Sequence, residues 1–209
     1  VALARALVIR PRVLLLDEPL SMIDRETRDR IIPILRELPN RYGTTIIHVT
    51  HDWDEAYSLA DRVYVVNRGR VVEEGDPEQV FNRPNKVFTA RFLGFQNIIK
   101  GIARGDSVVL NDGVELRING RVDGEVYVCI RPEWVRVVPN EGVSGDEKNV
   151  LRGVVNDVIR SRVGYQLLVS VNNNLVITAL TTTAFKPGDE VLLIIPRSGI
   201  HIIRAGDGD

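Results

Sequence analysis

"VLLLDEPLSMID", Val13 to Asp24, drives an apolar run into two adjacent carboxylates and a proline. An apolar run without polar alternation is the pattern of a strand buried on both faces, as in a parallel sheet covered by helices. Such a strand sets Asp17 and Glu18 at the carboxyl edge of the sheet, where open α/β folds bind their ligands. There Asp17 can hold a divalent metal through water, and Glu18 can polarise a nucleophilic water. A solvated sheet edge is the plainer alternative.

Outward from this stretch, helix and strand alternate to about Leu93. Ala2 to Val8 reads as a helix stopped by Pro11. "RETRDRIIPILRELPNRYG" carries Ile31, Ile32, Leu35 and Leu38 at helical spacing and ends at Gly43; Pro33 either kinks it or marks its true start. "TTIIHVTH" predicts a second strand and "DWDEAYSLAD" a short helix with acids in its first turn. "RVYVVNRGRVVEEG" predicts a hairpin turning at Asn67 to Gly69. "DPEQVFNRP" and "KVFTARFL" predict two short helices separated by Pro84. His48 and His51 have HxxH spacing, but three steps along a strand put their side chains on opposite faces, which argues against one shared metal.

From Ile98 the texture changes to short alternating strands broken by Gly, Asn and Asp. The expectation is two domains, residues 1–95 of α/β type and 96–209 of all-β type, joined at "GFQN". The β part repeats itself. Val126, Val128, Ile130, Val135 and Val137 match Val191, Leu193, Ile195, Ile200 and Ile202, each pair 65 positions apart (191 − 126). "IIKGIA" likewise resembles "VLRGVV". Two diverged copies of one β unit, split by the polar "PNEGVSGDEKN", would cover each other's edges; a chance likeness of short strands is the alternative. Trp134 is expected in the core of this domain.

Composition limits the function classes. The 209 residues are 44% hydrophobic and 26% charged with a net charge of −1, which is no polyanion binder. The basic turn "NRGR" lacks interleaved aromatics, so no nucleic-acid partner is expected. No run approaches the roughly 20 apolar residues of a membrane span, and no basic-then-apolar stretch opens the chain. With a single cysteine, Cys129, the expectation is a cytosolic protein. The first residue is Val, and "VALARALVIRP" reads as a helix already under way, so a fragment of a longer chain is expected.

"VALARAL", then "VLLLDEPLSMID", then "HVTHDWDEAYSLADRVYVVNRGRVVEEGDPEQVFNRP" closely resemble the carboxyl-terminal half of an ABC-transporter nucleotide-binding subunit. The resemblance implies part of a P-loop NTPase fold from Val1 to about Leu93, with ATP and magnesium as cofactors. It makes Asp17 the end of the Walker B strand and the magnesium holder, Glu18 the catalytic base, and His51 the switch histidine. "SMID", with Ser21 and Asp24, becomes the D-loop facing a second copy of the subunit. It also implies membrane permease subunits as partners, an extracytoplasmic substrate-binding protein indirectly, and a cytoplasmic place on the inner face of the membrane. No G-x-x-x-x-G-K-[ST] occurs and no Gly-Lys dipeptide exists in the 209 residues, so the phosphate cradle is missing. This polypeptide alone is therefore expected not to turn ATP over.

The appended β domain resembles the TOBE regulatory domain of importer subunits, OB-like barrels, through "GEVYVCIRPEWVRVV". The second copy is similar to the molybdate-binding Mop unit, and "RFLGFQNIIKG" to the linker of molybdate and tungstate importer ATPases. The resemblance implies an oxyanion ligand held by Ser161-Arg162 and Arg197-Ser198. Val163 stands where that loop has Asn, and Pro196 or Arg197 where the later segment has Lys. Hydroxyls and guanidinium groups suit a tetrahedral dianion, because they neutralise charge and donate directed hydrogen bonds. A sugar or polyamine importer subunit, whose β domain contacts its twin or a regulator, and a non-enzymatic anion-binding module are the competing readings.

Overall fold

The computed structural model describes residues 2–140, 149–172 and 174–206. It divides into two compact units, Val1–Asn82 and Arg83–Asp209. Most of the "PNEGVSGDEKN" separator, residues 141–148, lies outside the described residues.

The first unit runs α1 (Ala2–Val8), β1 (Val13–Asp17), α2 (Arg25–Tyr42), β2 (Thr45–Val49), α3 (Trp53–Leu59), β3 (Val63–Asn67), β4 (Arg70–Gly75) and α4 (Pro77–Asn82). Strands β1 and β2 pair in parallel, Val13 beside Thr45 through to Asp17 beside Val49. One face of this pair is covered: Leu14 and Leu16 pack with Leu20, Leu35 and Leu38. The other face is open, with Leu15 71% and Ile47 54% exposed. This corrects the reading of "VLLLD" as buried on both faces. Only two parallel strands are present among the described residues, and α2 lies against one side of them. Strand residues alternate faces, so every second apolar side chain is left uncovered. Helix α2 begins at Arg25 and runs through both Pro33 and Pro39, so Pro33 does not mark its start. Strands β3 and β4 form the expected hairpin, with Arg68 and Gly69 both at positive φ in the turn.

The second unit holds α5 (Val87–Phe92), β5 (Asn97–Arg104), β6 (Ser107–Leu110), β7 (Glu115–Arg117), β8 (Gly124–Ile130) and β9 (Arg136–Pro139). It continues with β10 (Val150–Ser161), β11 (Gly164–Ser170), β12 (Val176–Thr181), β13 (Glu190–Ile194) and β14 (Ile200–Arg204). These form two five-stranded sheets, β14-β8-β5-β6-β7 and β9-β13-β10-β11-β12, antiparallel throughout. The two orders are the same path walked by two copies of one unit, except that the fifth strands are exchanged. Strand β9 leaves the first copy to pair with β13, and β14 leaves the second to pair with β8. The register obeys the 65-residue spacing: Val137 sits beside Leu193, and Ile202 beside Val128. Duplication therefore accounts for the pattern better than chance likeness of strands. Both sheets fill one core, in which Val128, Leu167, Val169 and Leu193 are fully buried.

Two further pairs follow a 52-residue spacing at the first strand of each copy (153 − 101). A β-carbon on Gly101 would lie 2.7 Å from the Val109 carbonyl oxygen, and one on Gly153 2.6 Å from Val169 Cγ1. Each glycine lets the neighbouring strand approach. The second pair is Asn97 and Asn149, both buried. Asn97 Nδ2 donates to Thr178 O at 2.9 Å while Thr178 N–H donates to Asn97 Oδ1 at 2.7 Å. Asn149 Nδ2 donates to Arg117 O at 2.8 Å while Arg117 N–H donates to Asn149 Oδ1 at 2.6 Å. Each amide thus acts as one residue's worth of β-ladder, closing an edge strand of the opposite sheet: β12 for Asn97, β7 for Asn149. Unpaired edges are a hazard, and each of these two side chains satisfies one residue of such an edge. Trp134 packs with Phe95 and the Ala90–Cys129–Ile203 cluster rather than in the main core, a correction to its expected place. Its indole sits where α5 meets the sheet, half-buried.

Candidate functional site

The carboxyl ends of β1 and β2 meet at one edge. Glu18 N–H donates to Val49 O at 2.8 Å, so the pairing extends one residue beyond β1. Glu18 then turns sharply, with φ of +44°, a left-handed conformation that is uncommon for a residue with a β-carbon. The turn is closed from the other side: Ser21 Oγ donates to Glu18 O at 2.9 Å. Asp24 caps α2, accepting from Thr27 N–H at 3.0 Å. That backbone bond holds the Asp24 carboxyl below its ordinary value of 3.8. Between them Met22 is 97% exposed.

His51 follows β2, and its Nδ1 stands 3.2 Å from Glu18 Oε1, with side-chain exposures of 73% and 48%. Asp17 is exposed at the end of β1, on the open face of the sheet. The structure thus brings Asp17, Glu18 and His51 to one edge, with a carboxylate and an imidazole in hydrogen-bond reach. The pair is too solvent-exposed to contribute much stability, ~0–1 kcal/mol. Its value lies in chemistry: a carboxylate that can take a proton beside a ring that can carry one. His48 faces the other way, its Nε2 3.2 Å from Glu55 Oε2, so the two histidines have separate partners.

In the second unit, Ser161 and Arg162 lie at the tip of the β10–β11 hairpin, and Ser161 Oγ donates to Gly164 O at 3.1 Å. Arg197 and Ser198 lie on the short 3-10 turn between β13 and β14. The register places Ile194 beside Val150, at the opposite end of β10 from Ser161. Among the described residues, no hydrogen bond or ion pair joins one segment to the other.

Several residues with no expected role are tightly held. Arg131, from the "IRPE" segment, stacks its guanidinium 4.3 Å from the Phe95 ring centre and donates to Leu93 O at 3.0 Å. Burial lowers its pKa, opposed by the Glu133 carboxylate. Glu55, 3% exposed, is a buried carboxylate with Arg28 and His48 around it. Asn97 and Asn149 were detectable, because the 52-residue spacing of "IIKGIA" and "VLRGVV" extends one position back to both. Arg28 and Glu55 lie far apart in the sequence, 27 residues (55 − 28), and no local pattern links them.

A protein of Pyrococcus horikoshii, the molybdate/tungstate import ATP-binding protein WtpC, is 36% identical to this chain over 97% of its length, and the match takes in 59% of that protein. This chain is homologous to the ATP-binding subunits of ABC importers. The Fe(3+) ions import ATP-binding protein FbpC of Streptomyces coelicolor is 47% identical over 68% of the chain and 41% of its own length. The spermidine/putrescine import ATP-binding protein PotA of Borrelia garinii is 33% identical over 97% of the chain and 57% of its own. The chain thus spans about three fifths of the length of the ABC importer relatives that match it end to end. No protein-family model matches it. Among solved structures, the cytoplasmic molybdate-binding protein ModG with molybdate bound covers 53% of the chain and 96% of itself, at 18% identity and a TM-score of 0.49. Among the described residues no helix is long and apolar enough to cross a membrane.

Proposed function

We propose that this chain is the carboxyl-terminal part of the ATP-hydrolysing subunit of an ABC importer for molybdate, tungstate or a related oxyanion. One observation carries the reading: the Glu18–His51 contact of 3.2 Å at the carboxyl edge of a parallel strand pair, in a chain homologous to ABC importer ATP-binding subunits. In this reading the first unit is part of a P-loop NTPase domain. The second unit holds an OB-like, TOBE/Mop-like regulatory domain over residues 96–209; residues 83–95, with α5, precede it inside the same compact unit.

The residues present fit part of an ATP–magnesium site. Asp17, exposed at the strand end, offers an anionic oxygen suited to magnesium through water. The metal, when bound, neutralises phosphate charge. Glu18 accepts the proton of an attacking water, and the +44° turn fixes where its carboxylate stands. His51 uses Nδ1 toward Glu18, so its Nε2 donates to a phosphate oxygen only when the ring is the cation or when Glu18 carries the shared proton. Ser21 and Asp24 shape the loop that faces a second copy of the subunit, and Met22 is its most projecting side chain. Nothing in the 209 residues supplies the glycine-rich phosphate cradle. The chain by itself therefore releases no phosphate from ATP. Its partners are a second subunit, membrane permease subunits that hold it at the cytoplasmic face, and, through them, an extracytoplasmic substrate-binding protein.

The oxyanion reading rests on the end-to-end match to WtpC; Ser161-Arg162 and Arg197-Ser198, at opposite ends of β10, would serve as two separate sets of ligand groups. An anion that regulates must bind one domain arrangement better than another, since equal affinity shifts nothing. Isothermal titration with molybdate, tungstate and sulfate tests this; heat with the first two is expected, and none with any of them removes the regulatory site. The PotA match, equally extensive, supports the second reading of a polyamine importer subunit whose β domain makes only protein contacts. Magnesium-dependent phosphate release by the 209 residues alone would refute the claim of inactivity.

A further inference from the structure

We propose that Arg28 and Glu55 are positioning residues that lock the turn bearing His51 to the segment between Glu18 and α2, so that the two move together. The proposal rests on the ATPase reading and names a control over that same site.

Arg28 lies one turn into α2, behind the Asp24 cap. Its Nη1 donates to Asp52 Oδ2 at 2.7 Å and its Nη2 to Leu20 O at 3.4 Å. Its Nε faces Glu55 Oε1 at 3.7 Å, a charge contact beyond hydrogen-bond distance. One guanidinium thus grips the loop after Glu18 through Leu20 and the turn after β2 through Asp52. Glu55 completes the grip from within. It accepts from Thr50 Oγ1 at 2.9 Å, and Thr50 Oγ1 in turn accepts from Asp52 N–H at 3.0 Å. Asp52 Oδ1 accepts from the N–H groups of Asp54 and Glu55, capping α3. His51 is therefore flanked on both sides, at Thr50 and Asp52, by residues tied to Arg28 and Glu55. A planar five-donor fork can hold several acceptors at once, which an ammonium on a flexible stem cannot do with the same geometry. A carboxylate only 3% exposed also needs its cation, so the grip is not freely released. His51 itself is exposed and touches Glu18 only at the end of its side chain, so its placement is inherited from this turn.

The test reads the His51 ring in the 209-residue chain by the ¹³Cε1–¹Hε1 resonance, assigned among the three histidines by single His→Gln variants. Glu18→Gln is expected to shift that resonance in the wild-type background. In Arg28→Lys and Glu55→Gln backgrounds, folded by their amide spectra, the response to Glu18→Gln should shrink; an undiminished response in both overturns the proposal. Arg28→Met should abolish the response, and if that variant does not fold, the two conservative variants decide. A second readout uses the subunit completed by the length its relatives carry beyond this chain. There Arg28→Lys should lower kcat about 10–100-fold while KM for ATP stays within about twofold, the pattern of misplaced catalytic geometry. If the completed wild type hydrolyses no ATP while the His51 response shrinks as expected, the ATPase reading fails and the positioning role stands. If it hydrolyses ATP and both readouts ignore Arg28→Lys and Glu55→Gln, the positioning role fails alone.

Discussion

Asn149→Ala removes one of the two amides that close the β domain, and the structure sets the size of the effect. The side chain receives Arg117 N–H at 2.6 Å and donates to Arg117 O at 2.8 Å, both from a buried position. Truncation leaves a backbone donor and acceptor of edge strand β7 without their partner. A hydrogen bond lost in this way costs about 1–3 kcal/mol, because the orphaned groups keep their desolvation penalty. Water reaching the half-exposed edge keeps the loss toward the lower end. Asn97→Ala removes the equivalent pair on Thr178 and a third bond to Ile130 O at 3.2 Å, so its loss should be equal or larger. Urea unfolding followed by tryptophan fluorescence is the assay, since Trp134 lies in the same unit. Both variants should lower the midpoint with an unchanged slope, as stability loss without a change in exposed surface requires. Asn97→Asp should be no better than Asn97→Ala, because a carboxylate would face the Thr178 and Ile130 carbonyls. If both alanine variants unfold within about 0.5 kcal/mol of wild type, the amides are not ladder elements and the symmetric-closure argument is wrong.

Gly101→Ala and Gly153→Ala should each destabilise by about 1–3 kcal/mol in thermal melts, since the new methyl meets its neighbours at 2.7 and 2.6 Å. Leu14→Ala should cost about 2–4 kcal/mol while Leu15→Ser costs under about 0.5, the signature of one covered face. Burial pushes the Cys129 thiol up to about 12, so it should resist a thiol-labelling disulfide at pH 8 until the chain unfolds. Asp24, with its pKa lowered in the folded state, contributes helix-capping stability that is full above pH 3.8 and is lost as pH falls through the depressed value. Asp24→Asn should therefore flatten the acid limb of α2 helicity measured by circular dichroism.

What could be read in advance depended on how local each cause was. The Arg68-Gly69 turn, the helix over Arg25–Tyr42 and the acids at the end of β1 rest on neighbours in sequence, and the residues announce them. The 65-residue repeat was visible, but not the exchange of β9 and β14, because pairing between copies leaves no trace in either copy's pattern. The double-sided apolar run "VLLLD" misled for a related reason: the pattern records what a strand can be buried by, whereas burial depends on what is there. The grip of Arg28 on Asp52 and Glu55 joins elements through side chains at long range, and only three-dimensional placement reveals it. At the site itself, the strand pattern put Asp17 and Glu18 at the sheet edge and the family resemblance added His51; in the structure the three stand at one edge, since parallel strands end together. The oxyanion candidates came from two loops whose relation no strand pattern encodes.

In the proposed function, Glu18 and His51 form the proton-handling half of an ATP site. Phosphate release from magnesium–ATP, measured on the subunit completed to the length of its relatives, tests it most directly. Glu18→Gln keeps the size and the turn but loses the base. ATP binding should persist and hydrolysis should fall by at least about 100-fold, within the range a general base supplies; hydrolysis at the wild-type rate would contradict a role for Glu18 as the base.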